Sequence, residues 1–164
     1  MLTLAISDYD HVRDLVSGAV VPEGLDLVPV ELAVEEIFFR AVKFREWDVC
    51  EMSMAKYVAL RSQGDASMVA IPVFPSRLFR HSSIYVRRDG PVREPRDLVG
   101  RKVGLPEWAQ TAAVYSRGFL AHQFGVPLRD IEWVQAGVNE PGRAEKVELN
   151  LPQGSGCGPV QTRP

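Results

Sequence analysis

The sequence predicts an α/β protein: a lobe built on a mostly parallel sheet, followed by the start of a second α/β lobe. Short apolar runs alternate with segments of helical period over the first 75 residues, as in βαβ units. The same alternation resumes near residue 100. Hydrophobic residues make up 46% and charged residues 24% of the 164 residues, which is typical of a folded globular chain and not of a disordered one.

The first lobe is expected to span residues 1–86. Apolar runs predict strands at residues 2–6, 25–32, 47–51 and 67–74. Apolar stripes at helical spacing predict helices at about residues 10–19, 34–45 and 52–60. Asp10 is the expected cap of the first helix, Pro29 favours an edge position for the second strand, and Gly64 suits a left-handed helix end.

The second lobe is expected to span residues 87–152, with a hinge near residues 82–95. We predict a helical turn at 95–98, strands at 101–105 and 131–134, and a helix from 110 to about 124. Residues 153–164 (QGSGCGPVQTRP) carry no strand or helix pattern, so a disordered tail is expected. Our preferred interpretation is a chain cut short with a non-native tail, and the alternative is the flexible C-terminus of a complete protein.

Charge, hydropathy and cysteine content exclude several classes of protein. The net charge of −2 argues against a nucleic-acid binder with a strongly basic face. No apolar run approaches the roughly 20 residues that cross a bilayer. Two cysteines cannot form a disulfide framework, and the first ten residues lack the features of a secretion signal. We therefore expect a cytoplasmic protein with a reduced, buried thiol at Cys50.

Four longer segments point to a family. Residues 47–53 (WDVCEMS), 70–86 (AIPVFPSRLFRHSSIYV), 97–107 (DLVGRKVGLPE) and 137–146 (GVNEPGRAEK) together resemble the 4,5-dihydroxyphthalate decarboxylase family. The similarity runs from residue 2 to about residue 152. The resemblance implies a fold like that of type II periplasmic solute-binding proteins, with two α/β lobes and a cleft between them. Family members are roughly twice this length, so it also implies a truncated, N-terminal half.

The implied reaction is the loss of one carboxylate from 4,5-dihydroxyphthalate to give 3,4-dihydroxybenzoate. Each carboxyl-bearing carbon is para to a hydroxyl, so the ring itself can supply electrons to the carbon that gains a proton. The protein would need cations for two carboxylates, a base or hydrogen bond for the phenols, and an acid near the ring carbon. We expect a small aromatic dicarboxylate as ligand, no cofactor, and no nucleic-acid or membrane partner, and leave the oligomeric state open.

Candidate site residues cluster at the ends of the predicted strands. Arg77 and Arg80 follow the fourth strand and could bind carboxylates through paired bonds, with Ser82 as a further ligand. His81, whose imidazole can donate and accept a proton, is the candidate proton donor. The alternative for this set is a solvated loop at the crossing between the lobes.

Other candidates follow the first and third strands and open the second lobe. Glu51 and Asp8 are acid or base candidates, with His11 as a further one, and Ser53 lies where a helix N-terminus could bind an anion. Trp108 could stack on a ring and Thr111 could present its hydroxyl. Capping and packing are the alternatives for all of these. Glu107 lies at the same mouth, Glu140 and Arg143 receive no role, and the histidines, including His122, lack metal-ligand spacing.

Two other functions share the predicted fold. One is a solute-binding protein for a small carboxylate ligand, which the missing secretion signal disfavours. The other is a related cytoplasmic enzyme that acts on a different carboxylated ring. For the decarboxylase interpretation, this chain alone is expected to be inactive or nearly so, because a cleft needs both walls.

Overall fold

The computed structural model describes residues 1–137 and 143–150, together with the backbone of residues 161 and 162. These residues form two three-stranded sheets in which every strand pairing is parallel. Helices connect the strands in sequence, so the predicted α/β class is confirmed. None of the described helices is both long and apolar enough to cross a membrane.

The first sheet has the strand order β2-β1-β3. Its strands are β1 (Leu2–Ile6), β2 (Leu27–Glu31) and β3 (Val49–Cys50). The central strand β1 is buried from Leu4 to Ile6, as expected for a parallel strand with neighbours on both sides. Pro29 lies in the edge strand β2, which confirms the position that its missing N–H predicted.

Three helices belong to this first lobe: α1 (Arg13–Ser17), α2 (Val34–Phe44) and α3 (Met54–Ser62). Ile37 and Ala41 of α2 lie one turn apart and are both buried. The face of the helix that they share therefore points into the protein interior. Gly64 follows α3 with a φ of +85°, the left-handed conformation that was predicted for it.

The capping prediction for Asp10 is wrong. A 3-10 turn (Asp10–Val12) precedes α1, and neither the turn nor the helix has a side-chain cap. The Asp10 carboxylate instead lies 2.8 Å from the guanidinium of Arg13, three residues further on. An arginine within reach therefore competes successfully with the helix N–H groups for this carboxylate.

The second sheet has the order β4-β5-β6. Its strands are β4 (Lys102–Leu105), β5 (Glu132–Gln135) and β6 (Gln161–Thr162), and helix α4 (Thr111–His122) connects the first two. Short 3-10 turns of three or four residues occur at His81–Ser83, Pro95–Leu98 and Leu128–Asp130. The core of this lobe is apolar and buried, and it consists of Leu98, Leu105, Ala113, Leu120, Val126, Ile131 and Trp133.

Two predictions about strands are corrected. Residues 67–74 do not form a strand: Pro72 has no N–H to donate to a ladder, and the large apolar side chains around it are exposed. Conversely, the expectation that residues 153–164 contain no strand is wrong at Gln161 and Thr162, which pair with Val134 and Gln135. Backbone pairing requires no apolar pattern, which is why composition did not reveal it.

Several expectations remain outside what the structure tests. The rest of the tail, residues 153–160 and 163–164 with Cys157, lies outside the described residues, as does Glu140. The lobe boundaries at residues 86 and 152 and the hinge stay predictions. Cys50 is a free thiol, half-buried rather than fully buried, and burial raises its pKa.

Candidate functional site

Glu51 connects the carboxyl ends of two strands of the first sheet. It directly follows β3, and its backbone N–H donates to the Ala5 carbonyl of β1 at 3.1 Å. Its Oε1 accepts the N–H of Ser7 at 2.7 Å, and its Oε2 accepts the hydroxyl of Tyr9 at 2.8 Å. The carboxylate therefore lies at the end of the parallel sheet where ligands of such folds bind, with one oxygen on a phenol.

Burial and the neighbouring Glu51 carboxylate raise the pKa of Tyr9 to about 12, against a smaller opposing effect of the Ser76 hydroxyl. Tyr9 therefore stays protonated at neutral pH and acts as a hydrogen-bond donor.

A second feature, which we call the helix junction, joins the N-termini of α3 and α4 through Ser53 and Thr111. The Oγ of Ser53 and the Oγ1 of Thr111 are 2.9 Å apart, and the N–H of Ala55 donates to Thr111 Oγ1 at 3.2 Å. Ser53 is buried, at 5% exposure. The Thr111 hydroxyl of one lobe thus occupies the capping position of a helix in the other lobe.

The helix junction brings two positive helix ends together. The residues that precede the helices, Ser53 and Gln110, do not cap their own helices through side chains. The first N–H groups of a helix have no acceptor within that helix, so donors of both first turns lie near this contact, and one of them, the Ala55 N–H, donates to Thr111 Oγ1. Such a place favours a carboxylate or another anion.

Beside the junction lies a group of ionised side chains, the buried cluster, which consists of Glu35, Lys56, Glu107, Arg143, Glu145 and Lys146. At its centre, Lys56 Nζ lies 2.8 Å from Glu107 Oε2, and the two side chains are 1% and 0% exposed. Lys56 belongs to α3 and Glu107 follows β4, so this ion pair also connects the two lobes.

Two further cations complete the cluster. Arg143 Nη2 lies 2.7 Å from both Glu107 and Glu35, and Lys146 Nζ lies 2.9 Å from Glu107 and also binds Glu35. Burial alone would raise the pKa of Glu107, but Lys56, Lys146 and Arg143 outweigh it and lower the pKa to about 2. Glu107 is therefore ionised at every physiological pH.

Glu145 differs from Glu107 in its surroundings. Its Oε2 accepts the backbone N–H groups of Trp108 and Ala109, while its Oε1 is buried without a hydrogen-bond partner among the described residues. Burial raises the pKa of Glu145, and the nearby Glu107 carboxylate adds to this, against the backbone donors and Lys56. The three cations of the cluster thus form ion pairs with two carboxylates, Glu35 and Glu107, whereas Glu145 binds backbone N–H groups.

The structure places His81 apart from the helix junction. Its Nε2 lies 2.9 Å from Gln123 Oε1, and its ring stacks on Phe119 with 4.1 Å between centroids. Phe119 follows Thr111 by eight residues on α4, about 12 Å along the helix axis. The proton-donor role of His81 stays a prediction, as does the ligand role of the exposed Ser82.

The two arginines of the same segment are available for an anion. Arg77 lies over the Phe74 ring at 5.9 Å, and Arg80 is half-buried ahead of the 3-10 turn. Within the described part of the chain, neither guanidinium is in an ion pair. Both could therefore bind a carboxylate without displacing a protein carboxylate.

The remaining predicted residues have partners within the protein. Asp8 is exposed and binds Arg13 at 2.9 Å, which lowers the pKa of its carboxyl and makes it a weaker base. The Trp108 ring has the Arg117 guanidinium over one face at 3.7 Å and meets Trp133 edge-on at 5.9 Å. One face of the Trp108 ring is therefore already covered from within the protein.

Reasoning from the sequence missed Tyr9 and most of the buried cluster. In the sequence, Lys56 has the features of an ordinary solvent-exposed lysine on a helix. Glu35 and Lys146 are 111 residues apart in sequence. The only available signal was that Glu107, Arg143, Glu145 and Lys146 belong to the family-like segments 97–107 and 137–146. In the described residues, no three histidine, cysteine, aspartate or glutamate side chains form a potential metal site.

Comparison with known proteins finds two similar decarboxylases. No family model matches the sequence. A 4,5-dihydroxyphthalate decarboxylase of Comamonas testosteroni is 44% identical over 153 residues, which are 93% of this chain and 46% of that protein. A protein of the same name from Pseudomonas putida is 42% identical over 151 residues, 92% of this chain and 58% of that protein.

The chain is therefore similar to two 4,5-dihydroxyphthalate decarboxylases over more than nine tenths of its own length. It spans about half the length of the curated relatives it matches. Because at most 11 of the 164 residues lie outside the match to the Comamonas decarboxylase, residues 12–153 are within it. The family similarity therefore includes Glu51, the helix junction and Glu107.

Proposed function

We propose that this chain supplies a large part of the active site of a decarboxylase that converts 4,5-dihydroxyphthalate to 3,4-dihydroxybenzoate and carbon dioxide. The observation that carries the proposal is the 44% identity to a decarboxylase of that name over 93% of the chain. We further propose the two-lobed arrangement of type II periplasmic solute-binding proteins and a cytoplasmic location. Two parallel sheets joined through the helix junction support the former.

The substrate's two carboxylates would bind at the helix junction and at the arginines after residue 76. Converging N–H donors of α3 and α4 supply a fixed positive potential, and Arg77 and Arg80 supply guanidinium groups that no described carboxylate neutralises. The lysines and Arg143 of the buried cluster do not fit this role, because Glu35 and Glu107 already bind them. Their role in the proposal is to hold the two lobes in register.

The chemistry needs no electron acceptor outside the substrate. The bond between the ring and one carboxyl carbon breaks, its electron pair stays on the ring carbon, and a proton replaces the carbon dioxide that leaves. A donor or base at the para hydroxyl controls how easily electron density reaches that carbon. Glu51 with Tyr9 is the pair that we assign to the hydroxyls, and His81 is the proposed proton donor.

A chimaera tests this function directly. In it, residues 12–153 of this chain replace the corresponding part of the Comamonas decarboxylase, and the formation of 3,4-dihydroxybenzoate from 4,5-dihydroxyphthalate is measured. We expect turnover by the chimaera and little or none by the 164-residue chain alone. A folded chimaera that binds and converts no 4,5-dihydroxyphthalate would refute the proposal.

Variants of the active chimaera then test the individual roles. Arg80→Ala is expected to raise KM, whereas Glu51→Gln is expected to lower kcat. Lys102→Met, which removes an exposed ion pair with Glu132 on the far lobe, is the matched control and should leave both parameters unchanged. If His81→Ala retains full kcat, the proton donor is another group.

A further inference from the structure

Glu145 differs from the two other carboxyl groups of the buried cluster, because within the described part of the chain it forms no ion pair. Its Oε2 accepts the N–H groups of Trp108 and Ala109, and its Oε1 is buried without a hydrogen-bond partner among the described residues. The three cations of the cluster are bound by Glu35 and Glu107 instead. A negative charge on Glu145 is therefore the least compensated charge of the cluster.

Both signs of charge act on Glu145 from the elements packed around it. The charged groups that share the cluster with it are Glu107 after β4, Lys56 on α3, Glu35 on α2, and Arg143 and Lys146 on its own segment. Burial and the Glu107 carboxylate raise the pKa of Glu145, against the backbone donors and Lys56. Further negative charge nearby raises it again, so this carboxyl group is suited to gain a proton when an anion binds.

The course of the chain holds Glu145 close to the helix junction. Its Oε2 lies 3.3 Å from the backbone nitrogen of Ala109, and Thr111, whose Oγ1 is 2.9 Å from Ser53 Oγ, follows two residues later. Two residues span at most about 7 Å of backbone, so the Thr111 N–H lies within about 11 Å of this carboxylate. Unit charges about 10 Å apart, at an effective dielectric constant of about 20, change an ionisation constant by about tenfold.

We propose that Glu145 takes up a proton when a dicarboxylate binds at the helix junction, so that the ligand and a proton bind together. The inference rests on the proposed function, which makes the helix junction a carboxylate site, and it adds how pH regulates that site. The dianion brings negative charge toward a carboxylate that has no ion-pair partner among the described residues, and protonation removes the repulsion. Glu107 Oε2, which is buried and accepts no hydrogen bond from the described residues, provides an acceptor in the same cluster for the added proton.

The direction of the pH dependence follows from linkage. Because the bound anion favours the protonated acid, binding is tightest below the pKa of Glu145 in the free chain. It weakens as the pH rises through the pKa of Glu145 in the complex. A tenfold change in the ionisation constant corresponds to an uptake of at most about half a proton, at the pH midway between these two values.

Isothermal titration calorimetry in buffers of different ionisation enthalpy counts the protons that are taken up. Turnover itself consumes a proton, so the probe is phthalate, which has the two carboxylates but no ring hydroxyl to supply electrons. Phthalate is titrated into the 164-residue chain at several pH values between 5 and 8. The same titrations of Glu145→Gln count the protons of phthalate and of the histidines, because the variant keeps all of these groups. We expect the native chain to exceed the variant by about half a proton at its maximum.

Affinities and a second measurement complete the test. Glutamine imitates the protonated acid, so at pH 8 Glu145→Gln should have a Kd for phthalate about tenfold below that of the native chain, and near pH 5 the two should agree. Glu132→Gln, which removes the carboxylate of an exposed pair with Lys102, is the matched control and should behave like the native chain. In the native chain, the carbon-13 titration midpoint of the Glu145 carboxyl should lie about one pH unit higher with phthalate than without it.

The possible failures are distinguishable. Phthalate binding with equal proton uptake in the native chain and Glu145→Gln, or with an unchanged carbon-13 midpoint of Glu145, overturns this inference alone. Absence of phthalate binding at every pH overturns it together with the helix junction as a carboxylate site. Proton-linked phthalate binding by this chain, alongside a folded chimaera that does not convert 4,5-dihydroxyphthalate, would uphold the inference and refute the proposed reaction.

Discussion

Replacing Glu107 with glutamine should destabilise the protein more than replacing its partner Lys56 with methionine. Both side chains are fully buried, and their charged atoms are 2.8 Å apart. Which substitution costs more stability therefore depends on whether the charge that remains still has a partner. Without the Glu107 carboxylate, the buried ammonium of Lys56 loses its ion-pair partner, and Glu145, the other carboxyl group that interacts with it, has a pKa raised by burial. Without Lys56, the Glu107 carboxylate keeps Arg143 and Lys146 at 2.7 and 2.9 Å.

These two situations correspond to different costs. An uncompensated buried charge costs about 3–5 kcal/mol, which is the expected loss for Glu107→Gln. Removing one of several charge-assisted bonds costs about 1.5–3 kcal/mol, which is the expected loss for Lys56→Met. Lys102→Met, in an exposed pair with Glu132, should lose no more than about 1 kcal/mol and serves as control.

Urea unfolding at pH 7, monitored by circular dichroism, measures these differences in stability. Each variant should shift the urea concentration at the midpoint of unfolding without changing the m value. The pKa of Glu107 is lowered from 4.5 to about 2, so its stabilising effect is complete above 4.5 and disappears as the pH falls toward 2. The difference in free energy of unfolding between the native protein and Glu107→Gln should therefore become smaller as the pH falls from 4.5 toward 2. Equal losses of unfolding free energy for Lys56→Met and Glu107→Gln would refute this reasoning. So would a difference between the native protein and Glu107→Gln that does not change with pH.

Three further predictions concern the helix junction, the buried cluster and the end of the first sheet. Thr111→Val should cost about 1–2 kcal/mol in urea unfolding, because it removes the Ser53 contact and the Ala55 acceptor, whereas Thr111→Ser should restore most of it. Glu145→Gln should gain stability relative to the native protein as the pH rises from 4 to 8, since a raised carboxyl pKa favours folding only while the group is protonated; equal pH profiles would contradict this. In a carbon-13 tyrosine titration, Glu51→Gln should lower the pKa of Tyr9 from about 12 without reaching 10, because burial remains.

The secondary structure was largely predictable because local periodicity determines it. The helix predicted from residue 34 ends at Phe44, one residue early, and the strand predicted at 2–6 has those bounds. The strand predicted at residues 67–74 fails for a different reason: its apolar pattern requires a neighbouring strand to bond, and none of the described strands lies beside it. Pattern alone reports that a segment is suited to a sheet, not that a partner exists.

The candidate site was predictable only residue by residue. Glu51, Ser53 and Thr111 could be selected because they end a strand or begin a helix, where side chains reach ligands. Their contacts, and those of the buried cluster beside them, join groups 36 to 111 residues apart and have no local signal. Within the protein, the Glu51 carboxylate accepts a hydrogen bond from the phenol of Tyr9.

The most direct test of the central claim is a titration of 4,5-dihydroxyphthalate into the nitrogen-15-labelled chain, followed by amide chemical shifts. If the helix junction binds a substrate carboxylate, the amides of Ala55, Lys56 and Thr111 should show the largest shifts and saturate together. Thr111→Val should abolish the effect, whereas Lys102→Met should not. Shifts confined to His81 and Gln123, or no saturable shift at the first turns of α3 and α4, would contradict the claim.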